Sequence, residues 1–80
     1  FPVDTHVQRV SQRLGLAGPK DSPEKVKAIW ESLAPGEWFY ALHLNLIRHG
    51  REICIARGPR CEICVLNDLC DYYANRIANP

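Results

Sequence analysis

The segment Cys54–Cys70 reads CIARGPRCEICVLNDLC and holds all four cysteines of the chain, spaced C-x6-C-x2-C-x5-C. Four thiols within 17 residues let one loop wrap round a single centre, and Gly58-Pro59 gives the backbone a place to turn back. Three chemistries fit this pattern. A [4Fe–4S] cluster takes four thiolates, is larger than one ion and tolerates unequal loop lengths. Structural zinc also takes four cysteines, but ordinarily from two well-separated C-x2-C knuckles, and only Cys61 and Cys64 form one here. Two disulfides would allow three pairings; that reading suits secreted chains, and no signal-peptide pattern is present. Spacing ranks the three in that order and leaves all of them open.

Arginine surrounds the first half of the loop. Arg48, Arg51, Arg57 and Arg60 are opposed there only by Glu52. A charge run is most often a solvated face. On a rigid, metal-held loop, however, guanidinium positions are fixed, so little entropy is lost on binding. Arg meets phosphate through a directional fork of N–H groups, and phosphate contacts position a nucleic acid without reading its sequence. Arg57, Arg60 and Arg51 are therefore the candidate nucleic-acid-contacting residues.

Outside the loop the dominant signal is helical, and the expected class is all-α. Val3, Val7, Val10 and Leu14 fall on one helix face, with Asp4 or Thr5 as cap and Gly15 as terminator. LAGPKDSP is a turn-rich connector, and Ser22-Pro23 is a cap and first-turn pair. Val26, Ile29, Trp30 and Leu33 form a second stripe that Pro35-Gly36 breaks. A third helix is expected from Glu37 to His49, ended by Gly50; its broad apolar content predicts burial on more than one side. A helical turn has room at Glu62–Leu66, and a short last helix is expected over Asp71–Ile77. Residues 1–50 and 51–80 read as a helical segment and a cluster loop with tail, together one domain.

Composition limits the alternatives. Eighty residues, 46% of them apolar, can enclose only a thin core, so a metal, disulfides or a partner surface is needed as a staple. Net charge is +1, so affinity for a polyanion must come from a local patch. No apolar run approaches the ~20 residues of a membrane span. The chain starts at Phe1 rather than Met, and its first residues read like the middle of something longer. Asp4, in FPVDTHVQRV, serves on its simplest reading as a helix cap. A carboxylate there can also project into a cleft and stabilise a cationic transition state or take a proton. The two roles are compatible. His6 reads as structural.

VDTHVQRVSQRLGL, HLNLIRHGREIC and CIARGPRCEICVLNDLC together resemble the C-terminal part of endonuclease III, a family of DNA-repair glycosylases with AP-lyase activity in the helix–hairpin–helix superfamily. The resemblance runs from Pro2 to Tyr73. The cysteine spacing is shared with the adenine glycosylases of that superfamily; VDTHV separates the two, because adenine glycosylases usually carry Gly-Asn where Thr5-His6 stand. The resemblance implies a two-domain helix–hairpin–helix fold with double-stranded DNA in the cleft between the domains. It places the catalytic carboxylate on Asp4 and the [4Fe–4S] ligands on Cys54, Cys61, Cys64 and Cys70. It makes residues 55–60 a phosphate-touching loop that the cluster shapes. The family's lysine nucleophile lies on a glycine-rich hairpin upstream of the Asp motif, and Lys20, Lys25 and Lys27 do not match it. The chain alone is thus expected to be inactive, its partners being the N-terminal hairpin portion and DNA with a damaged base or abasic site. Base-excision repair implies a cytoplasmic, nucleoid-associated place in a prokaryote and a nuclear or mitochondrial one otherwise. The rival readings are a non-enzymatic iron–sulfur or zinc DNA-binding module and an adenine glycosylase of the same superfamily.

Overall fold

Asp4 starts the first helix. Its backbone is extended, and its carboxylate accepts the Val7 N–H at 2.8 Å, which satisfies one of the donors a helix start leaves unpaired. Helix α1 then runs Thr5–Leu14 and stops at Gly15, whose φ of +96° is the left-handed conformation that glycine adopts without penalty. Val7, Val10 and Ser11 are buried on its inner face. Val3 precedes the helix rather than opening its stripe, yet packs on the same core.

The computed structural model describes residues 1–78. Helix α2 spans Pro23–Leu33, with the Ser22 hydroxyl accepting the Lys25 N–H at 3.2 Å, as the Ser-Pro pair predicts. Pro35 ends the rise, a 3₁₀ turn at Gly36–Trp38 redirects the chain, and α3 runs Phe39–Glu52. Helix α4 covers Asp71–Ala78. There is no strand among the described residues, so the class is all-α.

Two expectations for α3 need correction. Gly50 does not end the helix; it lies inside it, buried, and the helix continues to Glu52. The reason is close approach by α1: a Cβ on Gly50 would stand 2.9 Å from the His6 Cβ and 3.3 Å from the Arg9 Nη2. The second concerns burial. Within this chain α3 buries only Leu46 and Gly50, while Trp38, just before it, and Tyr40 and Leu44 are exposed. The expected turn at Glu62–Leu66 is also redrawn as two 3₁₀ turns, Cys61–Ile63 and Asn67–Leu69, on either side of Cys64.

The core forms where α1 meets α2 and α3. Phe1, Val7, Val10 and Leu46 are its buried centre, with Leu14, Trp30, Phe39, Leu42 and Ile47 packed around them. Phe1 stacks on Trp30 (centroids 5.5 Å apart) and meets Phe39 edge-on at 5.7 Å. Such pairs add about 0.5–1.5 kcal/mol each beyond their buried area. Ser11 is fully buried and satisfied twice: its hydroxyl donates to the Val7 carbonyl at 2.7 Å and accepts the Trp30 indole N–H at 2.8 Å. Cys54 packs against this same cluster, which ties the cysteine loop to the core.

Candidate metal centre

The loop begins where α3 runs out of partners. The Ile53 and Cys54 N–H groups both donate to the His49 carbonyl, at 2.9 and 2.8 Å, and Cys54 leaves the helix. The loop closes on itself through the Arg60 N–H and the Ile53 carbonyl at 2.9 Å. Gly58, at its tip, has φ +70°, a conformation that strains any residue with a Cβ. Beyond it, the Cys61–Ile63 turn is braced by Asn67, whose side-chain amide donates to the Cys61 carbonyl at 3.0 Å.

All four cysteines line one cavity, together with Arg13, His49, Tyr72 and Tyr73. All four are free thiols, so the disulfide reading finds no bridge. Among the described residues no three His, Cys, Asp or Glu side chains converge on a point that would hold one metal ion. Four thiol donors round a common space suit a group of several iron atoms; zinc is less favoured because only Cys61 and Cys64 form a C-x2-C knuckle. Charge points the same way. Burial pushes the Cys64 thiol up, the Leu66 N–H pulls it partly back, and the sulfurs of Cys54, Cys70 and Cys61 push it up again. Ionised together, the four neighbouring sulfurs would need a positive centre among them.

Each sulfur also has a polar neighbour. Arg13 Nη1 donates to Cys54 Sγ at 3.4 Å, and Arg76 Nη1 to Cys61 Sγ at 3.4 Å. Cys64 Sγ accepts the Leu66 N–H and lies 3.4 Å from His49 Nε2. Burial lowers the pKa of that imidazole, favouring its neutral form. Cys70 Sγ donates to the Arg13 carbonyl at 3.3 Å.

Sequence reading missed the arginines that do this. Arg9 and Arg13 are one helical turn apart on α1 and both reach the loop's first carbonyls. Arg9 Nε donates to Cys54 O at 3.1 Å and its Nη2 to Gly50 O at 2.7 Å. Arg13 donates to Ile55 O at 2.7 Å and Ala56 O at 2.9 Å, and its guanidinium lies over the Tyr72 ring, 4.9 Å from the centroid. Arg76, on α4, donates to Pro59 O at 3.2 Å. The only available signal was two cations at i, i+4 with no acid to match; backbone acceptors leave no mark in a sequence.

The predicted arginines are disposed differently. Arg51, Arg57 and Arg60 are exposed and form no ion pair among the described residues. Arg48 is held by Glu52 at 2.7 Å, so the loop's one opposing acid is occupied. Asp4 is half-buried at the far end of α1, about 14 Å along the axis from Arg13. One of its oxygens caps the helix. His6 Nδ1 sits 3.1 Å from Arg9 Nη2, a structural contact as expected.

Comparison with known proteins agrees with this geometry. The iron–sulfur binding domain of endonuclease III matches residues 54–70. Endonuclease III of Sulfolobus acidocaldarius is 39% identical over 79 residues, which is 99% of this chain and 35% of that protein. Endonuclease III of Rickettsia conorii is 48% identical over 73 residues, 91% of this chain and 34% of that protein. A solved structure of a trapped endonuclease III–DNA covalent intermediate, an estranged-adenine complex, superposes with a TM-score of 0.89 at 39% identity over 94% of this chain and 35% of that one. The chain spans about a third of the length of the curated relatives it matches. In sequence, fold and cysteine loop alike, the chain is similar to the iron–sulfur portion of endonuclease III.

Proposed function

We propose that this chain is the C-terminal part of a base-excision-repair DNA glycosylase and AP lyase, acting on oxidised pyrimidines and on abasic sites. The observation that carries the reading is α1: the Asp4 carboxylate stands at its start, and Arg9 and Arg13 lower down fasten it to the cysteine loop. A pure binding module has no need of an acid held in register with that loop. Cys54, Cys61, Cys64 and Cys70 would hold a [4Fe–4S] cluster, which supplies a rigid anchor for the loop rather than base-removal chemistry. Arg57, Arg60 and Arg51 would meet DNA phosphates, their charge unspent on neighbouring acids. Residues 1–50 and 51–80 would act as two parts of one domain.

In the whole enzyme the damaged base leaves the stack for a cleft. A lysine amine from outside this chain attacks the sugar C1′, the base departs, and a Schiff base forms. β-Elimination then cuts the strand on the 3′ side. Asp4 has two tasks: helping to take the proton from the amine and stabilising positive charge on the sugar. Among the described residues no helix is long and apolar enough to cross a membrane; repair of DNA would put the protein with the nucleoid in a prokaryote, or in the nucleus or mitochondrion otherwise.

Asp4→Asn in the full-length enzyme tests the reading. Asn caps a helix about as well as Asp, so α1 keeps its start and only the charge is lost. Removing one placed electrostatic stabiliser costs about 3–4 kcal/mol, so turnover on lesion DNA should fall roughly two to three orders of magnitude while affinity for the same duplex persists. An equal loss of binding, or unchanged turnover, overturns the catalytic role.

A further inference from the structure

Two guanidiniums from different helices reach sulfurs of the cysteine cavity. Arg13 comes from α1 to Cys54 Sγ, and Arg76 from α4 to Cys61 Sγ, each at 3.4 Å. Neither is a wandering surface cation. Arg13 is fixed by the Ile55 and Ala56 carbonyls and the Tyr72 ring. Arg76 is fixed by the Pro59 carbonyl, with the Glu62 carboxylate 3.8 Å from its other nitrogen. The two sulfurs are the feet of the six-residue loop that carries Arg57 and Arg60.

We propose that Arg13 and Arg76 are positioning residues that set the reduction potential of the cluster by donating charged hydrogen bonds to the Cys54 and Cys61 sulfurs. This rests on the reading that those cysteines are cluster ligands. Adding one electron makes the cluster and its thiolates more negative, and a cationic N–H donor stabilises that form more than the oxidised one. Hydrogen bonds to sulfur and local charge are among the protein's means of tuning such potentials. Both donors therefore raise the potential, and removing either lowers it. Because the same guanidiniums hold the Ile55, Ala56 and Pro59 carbonyls, displacing the loop would stretch the bonds to sulfur as well, so loop position and potential are coupled.

The experiment is a spectroelectrochemical titration of the full-length, cluster-loaded protein and its Arg76→Gln, Arg76→Lys and Arg13→Gln variants, with iron and sulfide measured on each sample. Loss of one charged donor is expected to shift the oxidised-to-reduced balance about tenfold toward the oxidised form, ~59 mV downward for a one-electron couple. Arg76→Lys, which keeps the charge, should recover part of the shift; a merely structural role would leave the potential alone. Arg76 is exposed on α4, so its variants should retain iron and carry the test even if Arg13→Gln loses its cluster. Full iron with an unmoved or raised potential in Arg76→Gln overturns the proposal. Wild-type protein free of iron and sulfide overturns it together with the ligand reading beneath it.

Discussion

Gly50→Ala sets two effects of known size against each other. In a helix interior, Ala is favoured over Gly by about 1 kcal/mol, so propensity alone predicts a more stable protein. The packing predicts the reverse. The new Cβ would lie 2.9 Å from the His6 Cβ, and 3.3 Å from both His6 Nδ1 and Arg9 Nη2, where carbon atoms prefer about 3.5–4.0 Å. His6 Cβ is tied to the α1 backbone and cannot rotate away, so α1 itself must back off. Overpacking of this kind costs about 1–3 kcal/mol. Retreat of α1 also stretches the charged bond from Arg9 to the Gly50 carbonyl, now 2.7 Å, and bonds of that type contribute about 1.5–3 kcal/mol. Partial loss of both outweighs the gain in propensity by about 2 kcal/mol. For a protein of 150–250 residues, the size implied by the one-third coverage of the relatives, that is about 4–8 °C in Tm. Thermal unfolding of the full-length cluster-loaded variant against wild type measures it. A Tm equal to or above that of wild type would mean that α1 does not press on α3 at this point, and the account of why a glycine sits inside a helix would be wrong.

Arg57→Ala and Arg60→Ala should each weaken DNA binding alike on all sequences and reduce the salt slope of log K by about 1; fluorescence anisotropy over a salt series reads this, and a changed base preference would contradict a phosphate role. Trp30→Phe keeps the stack on Phe1 but removes the indole donor to the Ser11 hydroxyl, which retains its own bond to Val7. The loss should be about 1 kcal/mol, seen in denaturant unfolding as a lower midpoint at unchanged m; no change would show that the buried hydroxyl does not depend on the indole.

What the sequence disclosed, and what it did not, follows the range of each interaction. Local signals were legible. Asp4, Ser22-Pro23 and Gly15 specify caps through contacts three or four residues away, and all three act as written. The cysteine spacing could be read because a cage drawn from one loop is itself local. Gly50 misled because its two meanings, helix end and close approach, differ only in what lies across the interface, and His6 is 44 residues distant. The apolar breadth of α3 misled in the same way. Periodicity shows which faces are greasy, not which are covered, and in this chain Tyr40 remains 75% exposed. Arg9, Arg13 and Arg76 left little trace because most of their acceptors are carbonyls, which every residue possesses.

Those arginines alter the physical account of the loop. The family resemblance assigns its shape to the cluster. Fixing six residues, 55–60, costs about 6–12 kcal/mol in backbone entropy. The charged bonds to the Ile55, Ala56 and Pro59 carbonyls return about 1.5–3 kcal/mol each, or roughly 4–9 in all. The two sums nearly meet, and the Arg60-to-Ile53 closure narrows what is left. The cluster then has a narrower task than holding the whole finger. On the proposed ligand set it would fix the two feet, Cys54 and Cys61, so that α1 and α4 find the carbonyls between them at the right height. The two parts would be complementary, since sulfur ligands at 54 and 61 could not by themselves specify the path of the six residues between. The division also explains the placement of charge. The tethered cations hold the loop from within, while the side chains of Arg57 and Arg60 are left exposed with no ion pair among the described residues.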